Sequence, residues 1–201
     1  MGQIMTPVAR NLLIACVAVY LLQLVMGPRL ELHFALWPPN SFTPHFEPWQ
    51  LVSYAFLHDP RSFTHILFNM FALYMFGPEI ERLLGPRRFF TYYIVCVIGA
   101  ALTQLLALRM EGNPPVPTVG ASGGIFGLLL AFGLAFPRRR LMLLFPPIPM
   151  PAWLFVTLYG LLELFLGVSG RASGVAHFAH LGGMAGGFVL ILYWRSRART
   201  R

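Results

Sequence analysis

Residues 119–136 read VGASGGIFGLLLAFGLAF, and residues 174–194 read GVAHFAHLGGMAGGFVLILYW. Neither stretch holds an Asp, Glu, Lys or Arg, and each approaches the ~20 residues of helix that cross a ~30 Å hydrocarbon core. Gly120, Gly123, Gly124 and Gly127 in the first, and Gly182, Gly183, Gly186 and Gly187 in the second, form doubled small-xxx-small patterns. Such patterns let two backbones approach closely. The simplest pairing sets the two stretches against each other and brings Ser122 face to face with His180.

The rest of the chain fits a membrane setting. Of 201 residues, 57% are hydrophobic and 11% charged, with a mean hydropathy of +0.65. A soluble domain holds about a quarter charged residues, so an ordinary soluble protein and a disordered one are both excluded. Six segments are predicted as spans, at about 11–27, 62–81, 89–108, 119–136, 148–167 and 174–194, in a single all-α membrane domain over 1–201. Apolar segments recur to the C-terminus, unlike a cleavable signal peptide followed by a soluble chain. No period of 20–50 residues repeats. Cys16 and Cys96 lie in apolar runs and read as small buried packing residues.

All 15 basic residues are arginine. They fall in short clusters between uncharged stretches, the pattern of membrane-flanking charge, so nucleic acid is not expected as a partner. With the N-terminus inside, 11 arginines lie on the cytoplasmic side and 4 (Arg29, Arg61, Arg109 and Arg171) outside. The positive-inside rule then places both termini in the cytoplasm. The first outer loop, about 28–61, is rich in aromatics, Pro and His and suits short interfacial pieces. Residues 110–118 (MEGNPPVPT) form an outer turn that stops the third span.

Polar residues inside a span are functional candidates by default. His65, Asn69, Ser122 and His180 stand out. Spans two, four and six all enter from the outer side, so His65, Ser122 and His180 share one depth. Ser122 lies two or three residues into its helix and also reads as an N-cap or a packing serine. A helix start carries unpaired N–H groups and the positive dipole end, which are built-in oxyanion donors. Beside a serine, a neutral His180 is a general base. No acidic residue lies in spans four or six at this depth, so a Ser-His dyad is expected rather than a triad. Phe126, one turn after Ser122, is a candidate to stack on the imidazole. His65 and Asn69 share a helix face at i,i+4, and with the Ser122 N–H they would make an oxyanion hole. Their other reading is an ordinary inter-helix hydrogen bond.

Taken together, HILFN (65–69), GASGGIFG (120–127) and AHLGGMAGG (179–187) resemble the rhomboid intramembrane serine proteases in their minimal bacterial six-helix form. The resemblance covers about residues 10–195. It implies a six-transmembrane-helix bundle in the bacterial inner (plasma) membrane, with Ser122 as nucleophile and His180 as base and acid. It also implies oxyanion-side roles for His65 and Asn69. Gly120 and Gly123 would flank the nucleophile, Gly183 and Gly187 would let helix six approach it, and Phe68 would lie near the substrate-facing side of helix two. Substrates would be single-span membrane proteins cut near the extracytoplasmic face, with no metal, nucleotide or other cofactor. Phe126 stands where some members have Tyr. The family's first-loop WR pair is absent, so the bonding within that loop is expected to differ. Regulation through an appended domain is not expected.

Other residues carry weaker readings. His177 tunes the base, binds substrate or is a polar residue near the aqueous mouth. His33, His45 and His58 read as interfacial loop residues. A metal site from His65, His177 and His180 lacks a carboxylate or thiolate. Glu163, mid-to-late in span five, reads as lying in a wet cavity, protonated or close to the outer surface, with no direct catalytic role assigned. Glu79 and Glu81 with Arg82, Arg87 and Arg88 read as a cytoplasmic stabilising cluster. Span five, with its Pro-rich approach, is the candidate moving gate. Rival functions are a small proton-coupled transporter using His65, Asn69, His177 and His180, and a non-catalytic relative that binds membrane clients.

Overall fold

Proline and glycine punctuate the chain, and the helices begin and end where they stand. The computed structural model describes residues 5–39, 44–111, 116–143, 147–169 and 176–199. Helix α1 is Pro7–Met26, α2 is Arg29–Phe34, α3 is Gln50–Ser53, α4 is Phe63–Leu84 and α5 is Pro86–Glu111. Then follow α6 (Ser122–Ala135), β1 (Arg140–Met142), β2 (Pro149–Pro151), α7 (Ala152–Ser169) and α8 (His177–Arg199). The protein is mostly helical. Among the described residues, α1, 86–110 of α5, and α7 are long and apolar enough to cross a membrane.

Several boundaries differ from the sequence reading. Helix α1 starts at Pro7 rather than near 11, because Glu81 supplies the acceptors its first N–H groups lack. The carboxylate takes the N–H of Val8 at 3.1 Å, that of Ala9 at 2.8 Å and the Thr6 hydroxyl at 2.5 Å. Glu81 is thus a buried cap, while Glu79 pairs with Arg139 at 3.2 Å, an arginine outside the expected cluster. Gly85, at φ 77°, ends α4, and Pro86 opens α5 at once. Proline suits a first helical turn, whose N–H is unpaired anyway.

Helix α7, where the fifth span is predicted, begins at Ala152, not 148. Residues 149–151 instead pair antiparallel with 140–142. Pro149 and Pro151 cannot donate backbone bonds, which disfavours helix there. The outer turn at 110–118 lies partly outside the described residues, at 112–115. So do the start of the predicted sixth span, at 174–175, and Arg171 before it.

The first loop folds into α2, α3 and a 3₁₀ turn at Tyr54–Phe56. Gln50 binds it together: its carbonyl accepts from the Trp37 N–H, and its amide donates to the His33 and His45 carbonyls. A reciprocal amide pair, Gln23 with the His58 backbone, at 2.9 Å in both directions, ties the end of α1 to the loop's exit. An antiparallel bridge between Leu36 and Thr118 then joins the loop to the approach of α6.

Helix α8 packs on both α5 and α6, and α4 and α7 also pack on α6. The glycines divide between two neighbours. A Cβ on Gly183 would run into the Gly123 carbonyl of α6. Gly182 and Gly186 instead meet α5, at Gly99 and the Val95 carbonyl, and Gly187 meets Tyr92 and Cys96 of α5. Gly183 thus lies against α6, whereas Gly187 lies against α5. The buried residues of α7 are Ala152, Val156 and Glu163, and the apolar Leu161, Leu162, Leu164 and Phe165 around that acid are exposed. Apolar side chains facing outward are the arrangement lipid favours.

Candidate active site

Ser122 is the first residue of α6, not two or three residues in, and Ala121 is the N-cap. The serine therefore does not cap the helix. The chain is steered into this position by Gly120, which adopts φ 125° and donates its N–H to the Tyr54 carbonyl at 3.0 Å. A Cβ on Gly120 would lie 2.9 Å from His65 Nε2 and 3.9 Å from Ser122 Oγ. The bare glycine keeps the space between those two groups open.

The half-buried Ser122 Oγ meets His180 Nε2 at 2.8 Å. His180 stands in the first turn of α8, and its ring is held on three sides. Phe126 stacks on its face, with ring centres 4.2 Å apart and planes at 7°. Ser122 meets one nitrogen, and Glu163 Oε2 meets the other, Nδ1, at 2.9 Å. The same oxygen meets His177 Nδ1 at 2.6 Å. An ionised carboxylate only accepts, so it places a proton on both Nδ1 atoms. That leaves His180 Nε2 bare toward Ser122.

This network corrects three expectations. A carboxylate does reach the histidine, from α7 rather than from α6 or α8. Glu163 is buried and is bonded directly to His180. His177 is buried against Glu163 instead of standing at a wet mouth. Sequence reasoning offered His177 as a residue that could tune the base, and missed Glu163 as a partner of the site.

On the other side, His65 and Asn69 lie in the first two turns of α4. The Asn69 amide donates to the His65 carbonyl at 2.8 Å, spending one of its two N–H groups. The Asp59 N–H points at His65 Nδ1 at 3.4 Å. That contact favours a proton on Nε2, the nitrogen beside Gly120. Phe68 is exposed on the same helix. His33 and His45 are exposed as expected, but His58 is fully buried with both ring nitrogens unpartnered, and its ring lies 5.3 Å from that of His65. Burial, and then the His65 ring, push the His58 imidazole down to about 4.

The polar groups thus stand at the N-terminal ends of α4, α6 and α8, joined by one acid from α7. Residues 45–197 match the rhomboid domain family. The chain belongs to the rhomboid family. Among curated rhomboids, the mitochondrial Rhomboid protein 1 of Saccharomyces cerevisiae is 33% identical over 156 residues, covering 74% of this chain and 42% of that protein. Rhomboid protease GlpG of Yersinia pestis is 28% identical over 197 residues, covering 97% of this chain and 65% of the relative. The chain therefore spans less than two thirds of the length of either rhomboid. Family membership and the apolar helices together make it a membrane protein.

Proposed function

We propose that this rhomboid is a serine endopeptidase that cuts single-span membrane proteins near the extracytoplasmic face. The observation that carries the reading is the 2.8 Å contact between Ser122 Oγ and an imidazole nitrogen left bare by its carboxylate partner. Membership of the rhomboid family and the likeness to a rhomboid named as a protease support it. The chain forms one membrane domain of six spans, α1, α4, α5, α6, α7 and α8, with both termini in the cytoplasm. It sits in the bacterial inner membrane.

In the reaction, the substrate carbonyl enters the space in front of Gly120. Ser122 Oγ attacks it while His180 Nε2 takes the hydroxyl proton. The negative oxygen settles on the Ser122 N–H, the free hydrogen of the Asn69 amide and His65 Nε2–H. His180 then gives its proton to the leaving amine. Water, activated by the same nitrogen, releases the acyl group. Phe126 and Glu163 keep the ring in plane and in the correct tautomer throughout. Ser122 and His180 are the catalytic pair, and Glu163 is a positioning residue.

The test compares wild type, Ser122→Ala and His180→Ala, purified in detergent or liposomes. Cleavage of a single-span reporter and labelling by a fluorophosphonate are both expected to fall to background in each variant, with folding intact. Folded wild type that neither labels nor cleaves any of several reporters would overturn the reading. Asn69→Ala is expected to label still but to cleave ~10²–10³-fold more slowly, the usual cost of one oxyanion donor.

A further inference from the structure

Proteolysis as proposed uses His180 and one carboxylate. It gives no work to His177, whose Nδ1 makes the shorter of the two bonds to Glu163 and whose Nε2 is buried without a partner. We propose that Glu163, His177 and His180 form a zinc site whose occupation silences the peptidase, an inference that rests on His180 being the base. The three residues offer ligand atoms within 4.8 Å of one another, all buried. Two imidazoles and a carboxylate, completed by water, are a donor set that zinc takes in a tetrahedral arrangement. Zinc–ligand bonds of ~2.0–2.1 Å need the present hydrogen-bonded atoms to part by only about half an ångström.

The chemistry explains why such a metal would inhibit. In the metal-free site, each Nδ1 carries the proton that Glu163 accepts. Zinc binds the Nδ1 lone pair, which is free only once that nitrogen's proton has left, so each neutral ring shifts its proton to Nε2 and coordinates through Nδ1. No proton is gained or lost by either ring, and the metal sheds water in exchange. His180 Nε2 then carries a hydrogen and faces Ser122 as a donor. The 2.8 Å contact survives with its direction reversed, and the serine hydroxyl has no base. Imidazole ligands suit zinc, copper and nickel, whereas magnesium and calcium prefer all-oxygen sites, so the latter pair should not inhibit.

The test uses the full chain in detergent micelles and reads binding apart from activity. Cobalt(II) is added first, because its visible absorption strengthens in a tetrahedral protein site. The absorption is expected in wild type and in Ser122→Ala, to be displaced by zinc, and to vanish in Glu163→Gln and in His177→Ala. His177→Gln, which keeps a polar side chain of similar size, guards against a variant that fails to fold. Zinc is expected to abolish wild-type cleavage and fluorophosphonate labelling, with recovery on chelation, and at least tenfold more zinc should be needed in His177→Gln. Labelling in metal-free buffer that stays unaffected by millimolar zinc, with no cobalt spectrum, would sink the metal site and leave the peptidase standing. A cobalt spectrum that persists in both Glu163→Gln and His177→Ala would also sink it. A cobalt spectrum without labelling in metal-free buffer would sink the peptidase reading instead.

Discussion

At the scale of single residues, the site depends on which nitrogen carries a proton. Glu163→Gln keeps the shape of the acid but adds a donor, so the amide can present N–H as readily as C=O to His180 Nδ1. Reporter cleavage by this variant is expected to lose tenfold or more in kcat with little change in KM, and Glu163→Asp should recover part of the loss. Equal losses in Gln and Asp variants, carried by KM, would mean that Glu163 only packs. Gly120→Ala should lose cleavage outright, since φ 125° strains any side chain and the new methyl would press on His65. Circular dichroism should show that its helices survive. His58 gives a titration with a defined sign. Its folded pKa of about 4 lies below the unfolded 6.5, so the folded state binds fewer protons in between. Stability should therefore fall as pH drops from about 6.5 to about 4 and level off below. His58→Leu, which removes two unpartnered nitrogens, should flatten that part of the melting-temperature profile.

Ser122 and His180 were legible in the sequence because two glycine ladders flank them and both lie at helix starts. Glu163 was not, although the means were present. It is the single charged residue of its predicted span, and an antiparallel span brings its late residues to the depth where its neighbours begin. Spans four and six themselves hold no acid, and only the fold brings one from α7 to their depth. His58 misled for a different reason: a histidine between a loop and a helix normally meets water, and only the fold shows the Gln23 clamp that buries it.

At the scale of elements, the helices were legible from apolar length, and their ends followed local chemistry that periodicity does not see. A distant carboxylate extended α1, and two prolines turned the start of the fifth span into a hairpin strand. Small residues set the spacing between helices, and they differ in what they tolerate. Gly183→Ala would force a methyl into the Gly123 carbonyl. Overpacking of that kind costs ~1–3 kcal/mol, and here it would also move α8 away from Ser122. Both the detergent melting temperature and cleavage should fall. Gly160→Ala on α7 meets only the flexible end of Met184, at 3.5 Å. It should be neutral or stabilise by up to about 1 kcal/mol, the usual helical gain over glycine. A drop in melting temperature for Gly160→Ala matching that of Gly183→Ala would refute this account of the glycines.

For the whole molecule, the outward apolar surface means that a single-span substrate of the proposed peptidase would come sideways. Helix α7 buries few side chains, and its Glu163 is its polar tie to α8. It is therefore the element that can swing at least cost. A disulfide joining cysteines placed on exposed positions of α4 and α7 is expected to block cleavage of a single-span reporter while sparing fluorophosphonate labelling. Undiminished reporter cleavage would sink the gate.

The Glu81 clamp bears on where this protein can be trimmed. The rhomboid-domain match starts at residue 45, yet α1 plugs its first turn into Glu81 and sinks Leu12, Cys16 and Tyr20 among the buried side chains of the bundle. Cutting at the similarity boundary would strand a carboxylate among apolar walls and open a trench along α4. The unit that must be expressed is therefore longer than the rhomboid-domain match and includes α1.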